Sequence, residues 1–594
     1  MNFLCLFVQI PQLPDQKRAA IIHQNRCAIA GSVLSRDQVT SPAPKKKGLL
    51  QNELRKNTAV RSQKGFPNRG VCVKIELMRN NLKTQDQCTV REQNGQLVFA
   101  VNSEILLPEN APVRLISAQL EGLDYRELYR AYSPKGRKSK ADPRVLFKVV
   151  AYGYQCGSWS SRKLEEACRY RVDFMWLLEE EPVPDHATLA RFRKRCANVI
   201  EGLFYQYVQL LENQGETDHE TVFIDGTKIE SCAGRYTFCW RGSVEKKLQK
   251  VQEKVKALTE LDSLEDLELL LAKSEAGIDF VSGKGRRKSE EQRQWENQDA
   301  LRQRWKECEE SLCIMGDDRN SYAKTDPDAT FMRMKEDHMR NGQLKPAYNV
   351  QIAVNSEYIT GLEVFSNRTD LGTLVPFLSR MQMMHRAKYK EVTADAGYES
   401  LENYLFLEQN GQTSFIKPTN YEAKKTAKYR KQIGRIENMR YDAEEDVFLC
   451  AEGRRLSLRR ESTELKNGQY ITTAWYRCED CRNCPQREAC CKAKDPEQPK
   501  ELILRKTFWE KRAVSQANIT SERGIYLRMC RSIQVEGAFA LLKNDFGFRR
   551  FLTRGRANVR TEFFFLSLAF NLKKLWMKRE NGRLQTHLSD IQAA

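Results

Sequence analysis

The chain has 594 residues, with 98 Lys and Arg against 78 Asp and Glu, which gives a formal net charge of +20. Hydrophobic residues make up 41% of the sequence and charged residues 30%. This composition excludes a small disulfide-stapled scaffold and a protein that lies mostly within a membrane, and the length predicts about three to four domains. The positive charge favours a polyanionic partner, most often a nucleic acid.

The N-terminal region is predicted to be a disordered extension. Residues 3–10 are apolar, but they are too short for a membrane span and lack the flanks of a signal peptide. Residues 32–68 mix Pro, Ser, Lys and Arg without a hydrophobic period, which is typical of disorder. Because Met78 follows, one hypothesis is that residues 1–77 are upstream sequence and not native.

Residues 78–213 are predicted to form an N-terminal, mostly helical DNA-binding domain. Apolar residues recur three and four positions apart in 143–154 and 186–211, as in amphipathic helices. Asp185 is the predicted N-cap of a basic helix, and His186 a structural or capping histidine. The basic side chains predicted to contact DNA there are Arg191, Arg193 and Lys194. The alternative is that they form the solvated face of a packing helix.

Residues 214–594 are predicted to form an α/β catalytic domain. The order is a strand at TVFIDGTKIES, a β-hairpin around Asn355 to Glu357, then a helix, a strand, a helix, a strand and a final helix. Two insertions interrupt it. Residues 243–315 are charged with leucines at helical spacing and predict a helical hairpin, and residues 421–516 form a cysteine-rich insertion.

Three carboxylates are the candidate catalytic residues. Asp225 ends the apolar run VFID and Asp395 ends VTAD, each directly before small residues, and the carboxyl ends of strands are where α/β domains place their sites. Glu536 adjoins an apolar helical stripe. Each aspartate taken alone is explained as well by capping of the next turn. Carboxylate oxygens are the ligands that Mg²⁺ prefers, and two Mg²⁺ ions can activate water and stabilise a leaving oxygen.

A basic segment follows the glutamate. Arginines alternate with Phe548 and Phe551, a pattern that favours contact with nucleic-acid phosphates. The candidates are Lys543, Arg549, Arg550 and Arg554.

Taken together, the Asp225 and Asp395 segments and VEGAFALLKNDFGFRRFLTRG resemble the DDE transposases of bacterial insertion sequences, in the group with a cysteine-rich segment before the glutamate. PVPDHATLARFRK, TDPDATFMRMKEDH and KPAYNVQIAV extend the resemblance over residues 124–574. It implies a ribonuclease H-like fold, a triad of Asp225, Asp395 and Glu536 that binds Mg²⁺ or Mn²⁺, and cleavage and strand transfer of DNA. The implied partners are double-stranded element ends and target DNA, with a homo-oligomer on the DNA.

The sequence departs from the family at one motif. Many related transposases carry a Tyr, an Arg, the Glu and a Lys in one segment, and here Met529 and Ser532 occupy the Tyr and Arg positions. The nearby Arg528 and Arg531 are therefore the predicted DNA contacts. The alternative function is a catalytically silent, transposase-derived DNA-binding protein or repressor, against which the intact triad argues.

A cluster of cysteines predicts a structural zinc site. Of the 18 cysteines, those between Cys450 and Cys491 are crowded and the rest are scattered, which also favours a reducing cytoplasm. The predicted ligands, spaced for a tetrahedral ion, are Cys478, Cys481, Cys484 and Cys490, with Cys450 as the main substitute. Free thiols and an iron–sulfur cluster are the alternatives.

Overall fold

The computed structural model describes residues 75–79, 90–97, 103–132, 139–283, 287–334, 342–386, 388–466, 468–493, 495 and 497–587. The predicted extension 1–77 lies outside these residues except for its last three positions, so its disorder and its origin remain predictions. No helix within the described ranges is long and apolar enough to cross a membrane.

Short helices dominate the chain before residue 214. They are α1 Ser103–Leu106, α2 Pro112–Glu121, α3 Arg126–Arg130, α4 Pro143–Gln155, α5 Ser161–Tyr170, α6 Val172–Leu177, α7 His186–Cys196 and α8 Ile200–Asn213. An antiparallel strand pair, β1 Ile75–Arg79 and β2 Val90–Leu97, precedes them in the sequence. Asp185 caps α7 as predicted, since its carboxylate accepts the Thr188 N–H at 2.7 Å.

In the described part of the chain, a six-stranded central sheet follows, with helices packed against it. Its strands are β3 Thr221–Glu230, β6 Thr330–Arg333, β7 Leu344–Asn355, β8 Tyr358–Phe365, β9 Glu391–Ala394 and β10 Thr413–Ile416. The order is β10-β9-β3-β7, and β6 and β8 both pair with β7. β3 is antiparallel to β7 and parallel to β9, which is parallel to β10. The chain is thus a mixed α/β protein, as the sequence predicts.

The predicted β-hairpin is confirmed. Ser356 and Glu357 join β7 to β8, and both have positive φ, 49° and 75°. This is the conformation of a two-residue hairpin loop whose twist matches that of the strands.

The helical insertion contains three helices, so the predicted hairpin of two is wrong. They are α9 Arg241–Thr259, α10 Leu264–Glu275 and α11 Glu290–Met315. Glu260 ends α9 with a left-handed φ of 59°, and the Ser263 hydroxyl caps α10 by accepting the Asp266 N–H at 3.1 Å. A small core that includes Val255, Leu271 and Trp305 joins the three helices. A strand pair, β4 Phe238–Trp240 and β5 Ser321–Ala323, flanks the insertion.

The cysteine-rich insertion forms a second antiparallel sheet, here called the cysteine sheet. Its strands, in order across the sheet, are β11 Arg440–Asp442, β12 Val447–Leu449, β13 Arg455–Lys466, β14 Gln469–Cys478 and β15 Glu501–Arg505. A small core containing Phe448, Leu456 and Tyr476 supports it. Phe448 comes from the apolar run VFLC and Tyr476 from YITTAWYRC, whereas Leu456 lies in the otherwise basic segment RRLSLRR.

Helices link both sheets. The helices around the central sheet are α12 Leu374–His385 and α13 Leu401–Gln409; short helices in the cysteine-rich region are α14 Tyr421–Lys424, α15 Ala427–Arg430 and α16 Arg487–Cys490; the last ones are α17 Lys506–Thr520, α18 Glu522–Arg531, α19 Gly537–Ala540 and α20 Arg556–Glu580. A π turn, Ser532–Glu536, joins α18 to α19. The apolar helix α20 is buried against α4, α8 and β8.

Candidate active site

Asp225 lies in the middle of the central sheet. It is opposite Ile352 of β7 and is only 7% exposed. Its Oδ1 accepts the Gly226 N–H at 2.8 Å, and its Oδ2 lies 3.2 Å from Nη1 of Arg531 at the end of α18. The guanidinium therefore balances the charge of a buried carboxylate, which would otherwise be costly.

Asp395 lies at the end of the neighbouring parallel strand. It follows β9 directly and caps the short 3₁₀ helix Ala396–Tyr398, where its Oδ1 accepts the Gly397 N–H at 2.8 Å. The pairing of β3 with β9 ends at Phe223 and Thr393, two residues before each aspartate. The structure thus places the two predicted aspartates at equivalent positions of neighbouring parallel strands, just beyond the point where these strands separate. Asp395 ends its strand as predicted, whereas β3 continues past Asp225 to Glu230.

A third aspartate, Asp370, which is not among the residues predicted from the sequence, lies beside the Asp225 and Asp395 segments. Asp370 follows β8, and its Oδ1 accepts hydrogen bonds from Asn349 Nδ2 at 2.7 Å and Gln351 Nε2 at 2.8 Å. The only sequence signal is on β7, where two amide residues alternate within an otherwise apolar strand. Both are buried and therefore need a hydrogen-bonding partner.

The pKa of Tyr398 is affected by burial and by the negative charge of the surrounding aspartates. Its hydroxyl donates to Gln351 Oε1, and its side chain is fully buried. Burial raises the pKa of Tyr398 well above its ordinary value, and the negative charges of Asp370, Asp225 and Asp395 raise it further. The phenol is therefore a neutral donor to Gln351, under the electrostatic influence of all three aspartates.

Glu536 lies on the π turn that packs against β3 and β7, and its side chain is exposed. The neighbouring Gln534 fixes this turn, since its Oε1 accepts the Glu357 N–H of the β7–β8 loop at 3.1 Å. Across the described ranges, no three Asp, Glu, His or Cys side chains lie close enough together to hold a metal ion. Assembly of the predicted triad therefore stays a prediction.

Several of the predicted DNA contacts are bound to the protein itself, among them Arg531, which is paired with Asp225. Arg550 donates to the carbonyl oxygens of Ser231 and Ala233, both at 3.0 Å, just beyond the end of β3. Arg193 donates to the Trp159 carbonyl and lies 5.4 Å from the centre of the Tyr154 ring. A phosphate would have to compete with these contacts.

The other predicted DNA contacts differ in exposure. Arg191, Lys194, Arg549 and Arg554 are exposed, whereas Arg528, Arg531 and Lys543 are half-buried. Arg528 lies 5.3 Å from the centre of the Tyr421 ring. The four exposed side chains can therefore reach a large partner. Arg191 and Lys194 lie on α7, and Arg549 and Arg554 follow the segment that contains Glu536.

The segment 549–556, here called the arginine loop, is held by carboxylates. Glu562 accepts the N–H groups of Leu552 at 3.1 Å and Thr553 at 3.2 Å, and Asp326 accepts that of Gly555 at 3.0 Å. Burial raises the pKa of Glu562 above its usual range. Because these bonds fix the backbone from Leu552 to Gly555, Arg554 is carried by a rigid segment, whereas the Arg549 side chain donates to Asn544 Oδ1 at 3.1 Å and to the Lys543 carbonyl at 3.4 Å.

The structure gathers a different set of cysteines from the predicted one. Cys478 and Cys481 are buried in the core of the cysteine sheet, and Cys450 and Cys490 pack against them, whereas Cys484 lies outside this group. Burial and the neighbouring thiols of Cys481 and Cys450 raise the pKa of Cys478 to about 12. Cys450, the predicted substitute, therefore belongs to the same small core as Cys478, Cys481 and Cys490, but no three of these thiols lie within metal-binding distance of one another in the described part of the chain.

Comparisons with known proteins support the resemblance. Residues 449–576 match the family model described as Transposase DDE domain, and residues 101–195 match the one described as Transposase domain (DUF772). The first match contains Glu536 and the cysteine cluster. Asp225 and Asp395 lie outside both matched segments, so their assignment depends on the geometry of the sheet. No curated protein and no solved structure matches the chain.

Proposed function

Since the chain is a DDE transposase of the insertion-sequence type, we propose that it binds the terminal inverted repeats of its own element and catalyses DNA cleavage and strand transfer. The observation that carries this proposal is the pair of aspartates, Asp225 and Asp395, each two residues beyond the last pairing of β3 with β9. Glu536 lies on a helix packed against β3, inside the matched DDE domain.

The order of the central sheet supports a ribonuclease H-like fold for this domain. Three consecutive antiparallel strands, β3, β7 and β8, form one side, and β9 and β10 continue the sheet in parallel beyond β3. The helical insertion lies between β3 and β7, and the cysteine sheet between β10 and the Glu536 helix. Both insertions therefore interrupt connections and leave the sheet continuous.

Asp225, Asp395 and Glu536 would hold divalent cations, Mg²⁺ or Mn²⁺, through carboxylate oxygens of the type these ions prefer. When bound, the cations would activate water and stabilise the leaving oxygen of a phosphodiester. Arg531 balances the charge of Asp225 at 3.2 Å. Arg531 is also a DNA contact in this proposal, since a guanidinium at that position can pass from a carboxylate to a phosphate.

DNA would be held by exposed basic side chains on two elements. Arg549 and Arg554 project from the arginine loop, and Arg191 and Lys194 from α7. Phosphate contacts position a protein on DNA without reading its sequence, so recognition of the repeats requires further contacts, which we place in the N-terminal helices.

We further propose that the cysteine sheet binds one structural zinc ion through Cys450, Cys478, Cys481 and Cys490. The support is that all four thiols lie in or against one small core. Zinc would have to draw them together, since no three of them lie within metal-binding distance in the described structure. The raised pKa of Cys478 means that its thiol is protonated without metal, so binding would release protons.

The test is incubation of the purified protein with Mg²⁺ and the DNA that flanks its own gene. We expect nicks at the element ends that chelation and Asp225→Asn both abolish. Specific binding without nicking under any divalent cation would instead favour the silent repressor. Absence of both binding and nicking would overturn the proposal.

A further inference from the structure

Backbone pairing between β3 and β9 ends before it reaches Asp225 and Asp395, so other contacts must bridge the two aspartate segments. Strand pairing fixes β3 against β9 only as far as Phe223 and Thr393. Beyond that point the segments diverge, with Asp225 still held to β7 by pairing with Ile352. On its other side, the Asp395 segment is still held by the pairing of Ala394 with Ile416 of β10. Between the two aspartate segments themselves, however, the ladder of backbone hydrogen bonds has ended, so the contacts that link them directly are made by side chains.

Asp370 lies against the backbone of both segments. A Cβ atom added to Gly226, the residue after Asp225, would lie 2.7 Å from Asp370 Oδ1. A Cβ atom added to Gly397, two residues after Asp395, would lie 3.4 Å from Asp370 Oδ2. One carboxylate thus lies against the glycine of each motif. At Gly226, Asp370 and Gln351 together leave no room for a side chain, whereas at Gly397 the distance to Asp370 is an ordinary van der Waals contact.

Buried amides fix the orientation of Asp370. Asn349 and Gln351 are 1% and 0% exposed and both donate to Asp370 Oδ1. Gln351 in turn accepts from Tyr398, the last residue of the 3₁₀ helix that Asp395 caps. Asp370 is therefore connected to the Asp225 segment by contact and to the Asp395 segment both by contact and through Gln351.

We propose that Asp370 is a positioning residue that sets the separation of the Asp225 and Asp395 segments and thereby tunes their joint affinity for a divalent cation. This inference rests on the proposed function. It assigns Asp370 a role through its shape and its hydrogen bonds to Asn349 and Gln351, and the cation ligands remain the two predicted aspartates and Glu536.

The test compares Asp370→Ala with Asp370→Asn. The alanine variant leaves a gap between the segments, so we expect the Mn²⁺ dissociation constant, measured by calorimetry without DNA, to rise about 10- to 100-fold. The Mg²⁺ concentration for half-maximal cleavage should rise in parallel. The asparagine keeps the shape and an oxygen for Asn349 and Gln351, so it should restore most of the affinity.

A second test changes Gly226, the residue that Asp370 contacts in the Asp225 segment. Gly226→Ala should weaken Mn²⁺ binding, because its Cβ would meet Asp370 and Gln351, and its effect should be smaller when combined with Asp370→Ala. Gly372→Ala is the matched control, since a Cβ there meets nothing within 4 Å. Each variant is checked for an unchanged thermal midpoint and unchanged binding to element ends.

The outcomes separate this inference from the proposed function. Equal loss of Mn²⁺ affinity in Asp370→Ala and Asp370→Asn would show that the charge matters and would overturn the positioning role. Unchanged affinity in Asp370→Ala would overturn it as well. If the wild-type protein bound Mn²⁺ but neither bound nor nicked element ends, the proposed function would fail while the calorimetric comparison would still decide the role of Asp370.

Discussion

The central sheet and the cysteine sheet hold their polar groups in different ways. In the central sheet, β8 is buried along its whole length, and Asp225 and Asp370 each have cationic or amide partners. In the cysteine sheet, β13 is exposed at most of its positions, and the small core contains buried thiols. The first region should therefore tolerate loss of a charge without unfolding, whereas the second should depend on its thiols.

The largest expected effect is on catalysis. Asp225→Asn, Asp395→Asn and Glu536→Gln each remove a ligand charge but keep the shape of the side chain. Because ligand loss costs several kcal/mol of transition-state stabilisation, each should reduce Mg²⁺-dependent nicking at least about a hundredfold. End binding, measured by gel shift, should change little.

Glu402→Gln on α13 is the control for these three substitutions, since its side chain is exposed and outside the site. Nicking at the wild-type rate by any one of the three variants would remove that residue from the proposed triad. Loss of folding in Asp225→Asn would break the comparison, because the large core would then depend on this one charge.

The second prediction concerns the cysteine sheet. Protein purified without chelator should contain about one zinc per chain, and the double variant Cys478→Ser/Cys481→Ser should contain none. Since zinc peptides bind their ion by about 10 to 16 kcal/mol, its loss should expose the cysteine sheet to proteolysis. Elemental analysis and limited digestion measure the two effects.

Two single variants refine the choice of ligands. Cys450→Ser should lose zinc, and Cys484→Ser should retain it, because only Cys450 packs with the buried pair. If the purified protein contained no zinc and its cysteine sheet were still intact, the cysteines would be ordinary reduced thiols with no structural metal.

The sequence predicts Asp225 and Asp395 because a strand followed by small residues can be recognised locally. It does not predict Asp370, because the amides that orient this carboxylate belong to β7, about twenty residues earlier in the chain. It also cannot show that Arg193 and Arg550 donate to backbone carbonyls, since those carbonyls come close to the two side chains only in the fold. Likewise, Cys450 joins Cys478 because β12 and β13 pair, which spacing alone does not reveal.

The third prediction tests whether the arginine loop, which lies beside the end of β3, binds DNA phosphates. Arg549→Ala combined with Arg554→Ala should reduce the slope of log affinity against log salt by about 1.8, or about 0.9 for each phosphate that is no longer neutralised. Arg550→Ala should leave the slope unchanged and lower the thermal midpoint instead, since its guanidinium binds the carbonyls of Ser231 and Ala233. An unchanged slope in the double variant would mean that Arg549 and Arg554 are solvated surface residues that do not contact DNA phosphates.

The smallest expected effect concerns the connection between the two sheets. Glu399 follows the 3₁₀ helix of the Asp395 segment, and Arg512 lies on α17, which follows β15 of the cysteine sheet. The guanidinium donates to both carboxylate oxygens, at 2.6 and 2.7 Å, and the Thr419 N–H and hydroxyl also donate to Glu399. This one buried carboxylate thus joins the candidate active site to the helix that leads towards Glu536.

The pH dependence of stability distinguishes this connection from ordinary packing. Burial opposes ionisation of Glu399, but the hydrogen bonds from Arg512 and Thr419 outweigh it, so its pKa is lowered from 4.5. A lowered carboxyl pKa contributes stability above pH 4.5 that is lost as the pH falls through the folded-state value. Glu399→Gln should therefore lower the free energy of unfolding at pH 7 by about 1 to 3 kcal/mol, and its difference from wild type should shrink in acid. Glu402→Gln, which removes an exposed carboxylate on α13, is the control and should show no such difference. A difference for Glu399→Gln that stayed constant with pH would mean that shape, and not charge, connects the two sheets.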